Sequence, residues 1–246
     1  MRFNIQKPLL VLSLMLVVSW ALPHVVRVVK QYPDAKWILQ EYEHTLTPAD
    51  KNALKKKLTG VQLGSLFSED GLNNNGLYTF KAPYKGHPAD SIILKTLKAA
   101  NDEACGEVKA LGVRNQLVDS GMFKVKNKEE PVIIMKKVSG GPLMHEPAYK
   151  ATKDHDAKDK MKQEAIDLMC QKVAHEVQTH GILHHDNRIE NIHVMMSGNK
   201  VVGVEPTDYG TFELFTADKS TPIDVIVAFC KKHWTPVDWF VQADFE

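Results

Sequence analysis

The stretch His184-His185-Asp186-Asn187-Arg188-Ile189-Glu190-Asn191 decides the reading of this chain, together with Asp208-Tyr209-Gly210, which begins seventeen residues after Asn191. Three polar residues stand at fixed offsets: Asp186, then Asn191 five positions on, then Asp208 ahead of an aromatic residue and a glycine. Phosphoryl transfer calls for such a set. One carboxylate orients an attacking hydroxyl, while an amide and a second carboxylate hold the metal that neutralises phosphate charge.

Outward from this stretch, the second half of the chain reads as helical. Apolar residues recur at Ile166, Met169, Val173 and Val177, the stripe of an amphipathic helix over 159–179 that Gly181 terminates. Segments 192–196 and 201–204 flank Ser197-Gly198-Asn199-Lys200 as a short hairpin. A last helix is expected from Thr221-Pro222 to His233, with Trp234, Trp239 and Phe240 packing back onto it.

The first half reads differently. Segment 31–58 looks helical, with Thr47-Pro48-Ala49-Asp50 as a capping signal and Leu54 and Leu58 one turn apart. Segments 61–67, 77–80 and 92–95 are strands, the first two separated by a turn rich in glycine and asparagine. A helix over 99–111 follows, then strands at 116–118 and 132–135 and a break at Ser139-Gly140-Gly141-Pro142. The expectation is five strands with one helix between the third and the fourth.

Composition sets the frame. The chain has 246 residues, 43% hydrophobic and 25% charged, enough to bury a core. A net charge of +1 argues against nucleic-acid binding driven by bulk charge. Cys105, Cys170 and Cys230 are too few and too scattered for a disulfide framework or a zinc site, and are expected as half-buried thiols. At the N-terminus, Arg2 and Lys7 precede an apolar run from Leu9 to Val18, and Ser19-Trp20-Ala21 offers small residues at a cleavage site. This is a secretory signal pattern. It implies a secreted or secretory-pathway protein with no stable membrane span once residues 1–21 are removed, or less readily an anchored one.

This order of elements and motifs resembles the protein-kinase-like superfamily, over roughly 61–233, and 184–192 is similar to the kinase catalytic loop His-Arg-Asp-Leu-Lys-Pro-Glu-Asn-Ile. The resemblance implies an α+β, two-lobed fold: a helical extension (22–60), an N-lobe of five strands and one helix (61–138), and a reduced, mainly helical C-lobe (139–246). It implies ATP and Mg²⁺ as cofactors, Asp186 as catalytic base, Arg188 at the transferred phosphate, and Asn191 and Asp208 as metal ligands. Lys95, at the end of its apolar strand, would neutralise the ATP phosphates and pair with Glu107, preferred over Glu103 on the same helix face. Gly64, Gly71 and Gly76 would cover the nucleotide without a Gly-x-Gly-x-x-Gly pattern, and Met135 would open the hinge segment (135–140) that meets the adenine.

The chain also departs from the family. His185 replaces the arginine that commonly pairs with a phosphorylated activation loop, and only 36 residues follow Asp208-Tyr209-Gly210. Asp224 loosely matches the aspartate that braces the catalytic loop, and His184 matches the histidine that braces the backbone. That role accounts for His184 better than a zinc site built from His180, His184, His185 and His193. The function expected is an ATP/Mg²⁺-dependent phosphotransferase resembling a Ser/Thr protein kinase. The alternatives are a secreted pseudokinase or effector acting as a nucleotide- or partner-binding module, and a small-molecule kinase. The protein substrate or partner is open.

Overall fold

The stretch read as helical at the N-terminal end is not a helix. A computed structural model describes residues 32–68, 74–186, 191–210 and 213–234. There the chain forms a strand, β1 (Ile38–Glu41), followed by single 3-10 turns at Tyr42–Thr45 and Asp50–Asn52. The capping signal is real: the Thr47 N–H donates to Asp50 Oδ2 at 2.8 Å and the Asp50 N–H to Thr47 Oγ1 at 3.2 Å. The helix does not continue, because Lys56 and Leu58 exchange backbone hydrogen bonds with Met122 instead. Gly121 permits that approach, since a Cβ there would lie 2.3 Å from the Lys56 carbonyl oxygen. Leu54 and Leu58 are buried, Leu54 in the turn that follows Asp50–Asn52 and Leu58 beside Met122.

The five strands and one helix form as the sequence indicates. They are β2 (Leu63–Ser68), β3 (Asn74–Phe80), β4 (Ile92–Leu97), α1 (Asp102–Val113), β5 (Leu117–Val125) and β6 (Lys128–Lys136). The sheet is antiparallel throughout, in the order β2-β3-β4-β6-β5. All six residues of β4 are buried, so the strand lies between two apolar layers. Ile92 and Leu94 face Tyr78, Phe80, Val132 and Ile134. By the two-residue period, Ile93, Lys95 and Leu97 face the layer beneath α1, which holds Ala104, Val108, Leu111 and Ile133. The strand period itself points Lys95 at the helix. Asn101 caps α1 by accepting from the Ala104 N–H at 3.0 Å.

The remainder of the described chain is β7 (Gly141–Pro142), α2 (Pro147–Ala151), α3 (His155–His180), β8 (Ile182–His184), β9 (Ile192–Ser197), β10 (Lys200–Pro206), β11 (Leu214–Ala217) and α4 (Ile223–His233). The molecule is thus a mixed α+β fold. α3 buries Met161, Ala165, Ile166, Met169, Cys170, Val173, Ala174 and Val177 along one stripe, against β9, β10 and α4. It ends at Gly181, whose left-handed backbone (φ 70°) lets its N–H bond the Val177 carbonyl at 2.8 Å. Two three-stranded sheets complete this part, β1-β11-β8 and β10-β9-β7. Trp234 is buried against the same core; Trp239 and Phe240 lie outside the described residues, as does the signal segment. Among the described residues no helix is long and apolar enough to cross a membrane.

The cysteines correct the sequence reading. Cys170 of α3 and Cys230 of α4 form a disulfide across 60 residues, and only Cys105 remains a buried thiol. Two cysteines that far apart become neighbours only because the two helices pack together. Asp224 is a second correction. It is exposed in the first turn of α4 and braces nothing in the catalytic-loop stretch among the described residues.

Candidate functional site

Lys95 is buried, and its ammonium donates to Glu107 Oε1 and Oε2 at 2.8 and 3.0 Å and to Asp208 Oδ1 at 3.0 Å. The three side chains come from β4, α1 and the segment after β10, so the site joins the five-stranded sheet to the rest of the molecule. Burial alone would depress the Lys95 ammonium, but the charges of Glu107 and Asp208 outweigh it and hold it above the ordinary lysine range. Burial pushes the Glu107 carboxyl up, against the opposing pull of Lys95 and with the repulsion of Asp208. One ammonium therefore serves two carboxylates. Asp208 is the exposed member, its side chain 31% accessible against 4–6% for the other two.

Glu103 faces the same region but does not take the lysine. Its carboxyl is raised by burial first and by the nearby Asp208 and Glu43 charges next. The choice of Glu107 over Glu103 as partner matches the geometry.

The catalytic-loop stretch is tied to the Asp208 segment through the backbone. His184 Nε2 lies 3.0 Å from the Thr207 carbonyl and 3.1 Å from the Asp208 carbonyl, so it donates there and braces the turn. The Thr207 N–H donates to the Asn191 carbonyl at 2.8 Å, and the His185 N–H to the Glu213 carbonyl at 2.8 Å. These bonds bring Asp186, Asn191 and Asp208 into one neighbourhood, with Asp186 and Asn191 buried. Arg188 lies outside the described residues. His185 has its own partners, Tyr32 Oη at 3.1 Å and Glu213 Oε2 at 3.3 Å from Nδ1. The four clustered histidines thus go different ways: His180 ends α3, His193 lies on β9, and His184 and His185 are held as above.

Gly210 is needed where it stands, because a Cβ there would lie 2.7 Å from Glu107 Oε2. Asp208 adopts a left-handed backbone (φ 55°), a conformation aspartate tolerates better than most residues. Of the cover glycines, Gly71 lies outside the described residues. Gly76 is part of β3, where its φ of 130° and the nearby Leu66 methyl both demand glycine and its carbonyl accepts from Thr96 Oγ1. Met135 is not at a free hinge. It sits within β6, paired with Ile93 on one side and Leu117 on the other, so its backbone belongs to the sheet. The Lys136 and Lys137 N–H groups are also taken, by the Gln116 and Ser91 carbonyls. The connecting segment starts beyond them and passes so near β9 that a Cβ on Gly140 would lie 2.1 Å from the Val194 carbonyl oxygen.

The donor set suits a hard divalent cation. Asn191 and Asp208 offer amide and carboxylate oxygens, the ligands Mg²⁺ prefers. Among the described residues the buried Asn191 Nδ2 has no hydrogen-bond partner. Lys95 adds a cation for phosphate oxygens. No protein-family model matches the chain, and no curated protein matches it either.

The sequence reading missed one part of this neighbourhood. The Tyr209 hydroxyl donates to Glu176 Oε2 at 2.9 Å, and Arg114 donates to Glu176 Oε1 through Nε at 3.0 Å and Nη2 at 2.6 Å. The guanidinium lies over the Tyr209 ring at 4.0 Å, and the His184 ring meets it edge-on at 4.7 Å. The hydroxyl of Tyr209, where a phenylalanine would leave no donor, was the available signal.

Proposed function

We propose that the protein is an ATP- and Mg²⁺-dependent phosphotransferase acting on a hydroxyl group, with a two-lobed protein-kinase-like fold. The observation that supports this most is the meeting of Lys95, Glu107 and Asp208 within 3.0 Å, from three elements far apart in the chain. Burying a lysine costs several kcal/mol of desolvation, which its bonds to the two carboxylates offset. Phosphate chemistry gives it a use: the ammonium meets phosphate oxygens, Glu107 orients the ammonium, and Asp208 with Asn191 holds the metal. Bound Mg²⁺-ATP supplies the transferable phosphoryl group and the positive charge that offsets its oxygens. Asp186 would receive the acceptor hydroxyl and its proton, and Arg188, by its place in the sequence, would serve the transferred phosphoryl group. The acceptor we favour is a protein Ser or Thr. The Cys170–Cys230 disulfide supports an oxidising compartment, in keeping with the N-terminal signal pattern.

A second reading, a nucleotide- or partner-binding module without transfer, is favoured by one observation. Gly64 of β2 is pressed onto Thr79, where a Cβ would lie 2.3 Å from Oγ1, so this glycine serves strand packing rather than a phosphate cradle. Mg²⁺-ATP binding and phosphate transfer to a generic protein separate the two. Under the phosphotransferase reading Asp186→Asn and Asp208→Ala each lower transfer by about 10²–10⁴-fold. No binding at millimolar ATP would sink the phosphotransferase and leave at most a partner-binding module, and binding without variant-sensitive transfer would leave the nucleotide-binding module.

A further inference from the structure

We propose that Glu176 is the alignment point of the Lys95 site, holding the carriers of Glu107 and Asp208 in register through Arg114 and Tyr209. The proposal deepens the phosphotransferase reading and rests on it for its catalytic meaning, though its geometry stands apart. Glu176 lies on α3, is buried, and touches neither Lys95 nor Asp208. Its two oxygens are divided. Oε1 takes both N–H groups of Arg114, and Oε2 takes the phenol of Tyr209.

Each partner belongs to one half of the site. Arg114 caps α1, its own N–H bonding the Ala110 carbonyl at 3.1 Å. It stands seven residues after Glu107, about two helical turns, and so on the same face. Fixing Arg114 fixes the rotation and height of the helix that delivers Glu107. Tyr209 directly follows Asp208. The left-handed Asp208 holds its conformation only if its surroundings dictate it, and here they do. His184 binds the carbonyls of Thr207 and Asp208, Glu176 binds the Tyr209 hydroxyl, and Arg114 covers the ring.

The phenol is the donor to Glu176 Oε2 at 2.9 Å. Glu176 and Arg114 are thus positioning residues, and Tyr209 is the link by which they act on Asp208.

The test measures two properties of Tyr209→Phe, Arg114→Lys and the double variant. The first is acylation of Lys95 by a small amine-reactive reagent, read by mass spectrometry against Lys162, a buried lysine of α3 that reports general loosening. Losing one hydrogen bond to a charged group is expected to raise Lys95 labelling about ten-fold or more relative to Lys162. Because both contacts run through one carboxylate, the double variant should exceed the stronger single by less than the product of the two effects. Labelling of Lys95 that rises no more than that of Lys162, or effects that simply multiply, would overturn the proposal. The second property is the gain in ATP affinity conferred by Mg²⁺ over EDTA. It should fall about ten-fold in Tyr209→Phe while Mg²⁺-free affinity holds, and an unchanged gain would count against positioning of Asp208. If the wild type binds no ATP, the phosphotransferase reading fails alone, because the labelling ratio still decides the alignment.

Discussion

Glu107 and Glu176 are both buried, each bound to a cation, and they differ in charge balance. Among the described residues, Glu107 shares the Lys95 ammonium with Asp208, one ammonium between two carboxylates. Glu176 faces one guanidinium and a neutral phenol. The balanced set is sealed, with side-chain accessibilities of 6% and 4% for Arg114 and Glu176, whereas the unbalanced set opens through Asp208. A closed, neutral pair can do no more than fix geometry. An open set keeps one carboxylate, that of Asp208, within reach of solvent, as the proposed metal-dependent site would need.

The same substitution in both sets breaks the comparison most directly. Glu176→Gln leaves Arg114 buried without a countercharge and is expected to destabilise folding by about 3–5 kcal/mol, measured by denaturant titration. A loss below about 1 kcal/mol would mean that Arg114 finds water or another partner, and that the latch is not sealed. Next in size is the covalent tie on the α3 side. Reduction of Cys170–Cys230, or Cys170→Ser with Cys230→Ser, should lower stability by about 2–4 kcal/mol, seen as a lower melting temperature with dithiothreitol. The five-stranded sheet side holds only the unpaired Cys105, and Cys105→Ala should not alter the response to reductant.

Glu107→Gln is expected to behave differently from Glu176→Gln. Lys95 keeps Asp208, and the set becomes one positive against one negative charge. The folding loss should stay within about 1 kcal/mol while, under the proposed function, phosphate transfer falls at least ten-fold, through weaker hold on Lys95. Equal folding losses in the two Glu→Gln variants would erase the distinction drawn here.

What the sequence disclosed follows the same division. Lys95 and Glu107 were legible as a pair through the resemblance of their strand and helix to the kinase pattern, and the His184 brace through the resemblance of 184–192 to the kinase catalytic loop. Arg114 and Glu176 were not, because a charged residue at a helix end or on a long polar helix looks the same exposed or buried. The segment before Leu58 failed for another reason. Its capping bonds between Thr47 and Asp50 exist, but β1 pairs with β11 and Lys56–Leu58 with Met122, partners that local propensity does not see. Met135 failed because its apolar run is a central strand, flanked on both sides, and so ends later than a hinge there would need.

Glu103 gives the smallest and most pH-dependent effect. Its carboxyl is raised in the folded protein by burial, then by Asp208 and Glu43. A raised acid means that folding favours the protonated form, so ionisation of Glu103 works against folding once the pH exceeds its folded value. Below the ordinary carboxylate range both states are protonated and the penalty vanishes. Glu103→Gln is therefore expected to stabilise the protein at neutral pH by less than about 0.5 kcal/mol, with the gain disappearing in acid. Melting temperatures of the two proteins across that range check the sign. A gain that grows toward acid pH would show that Glu103 is held as a stabilised anion.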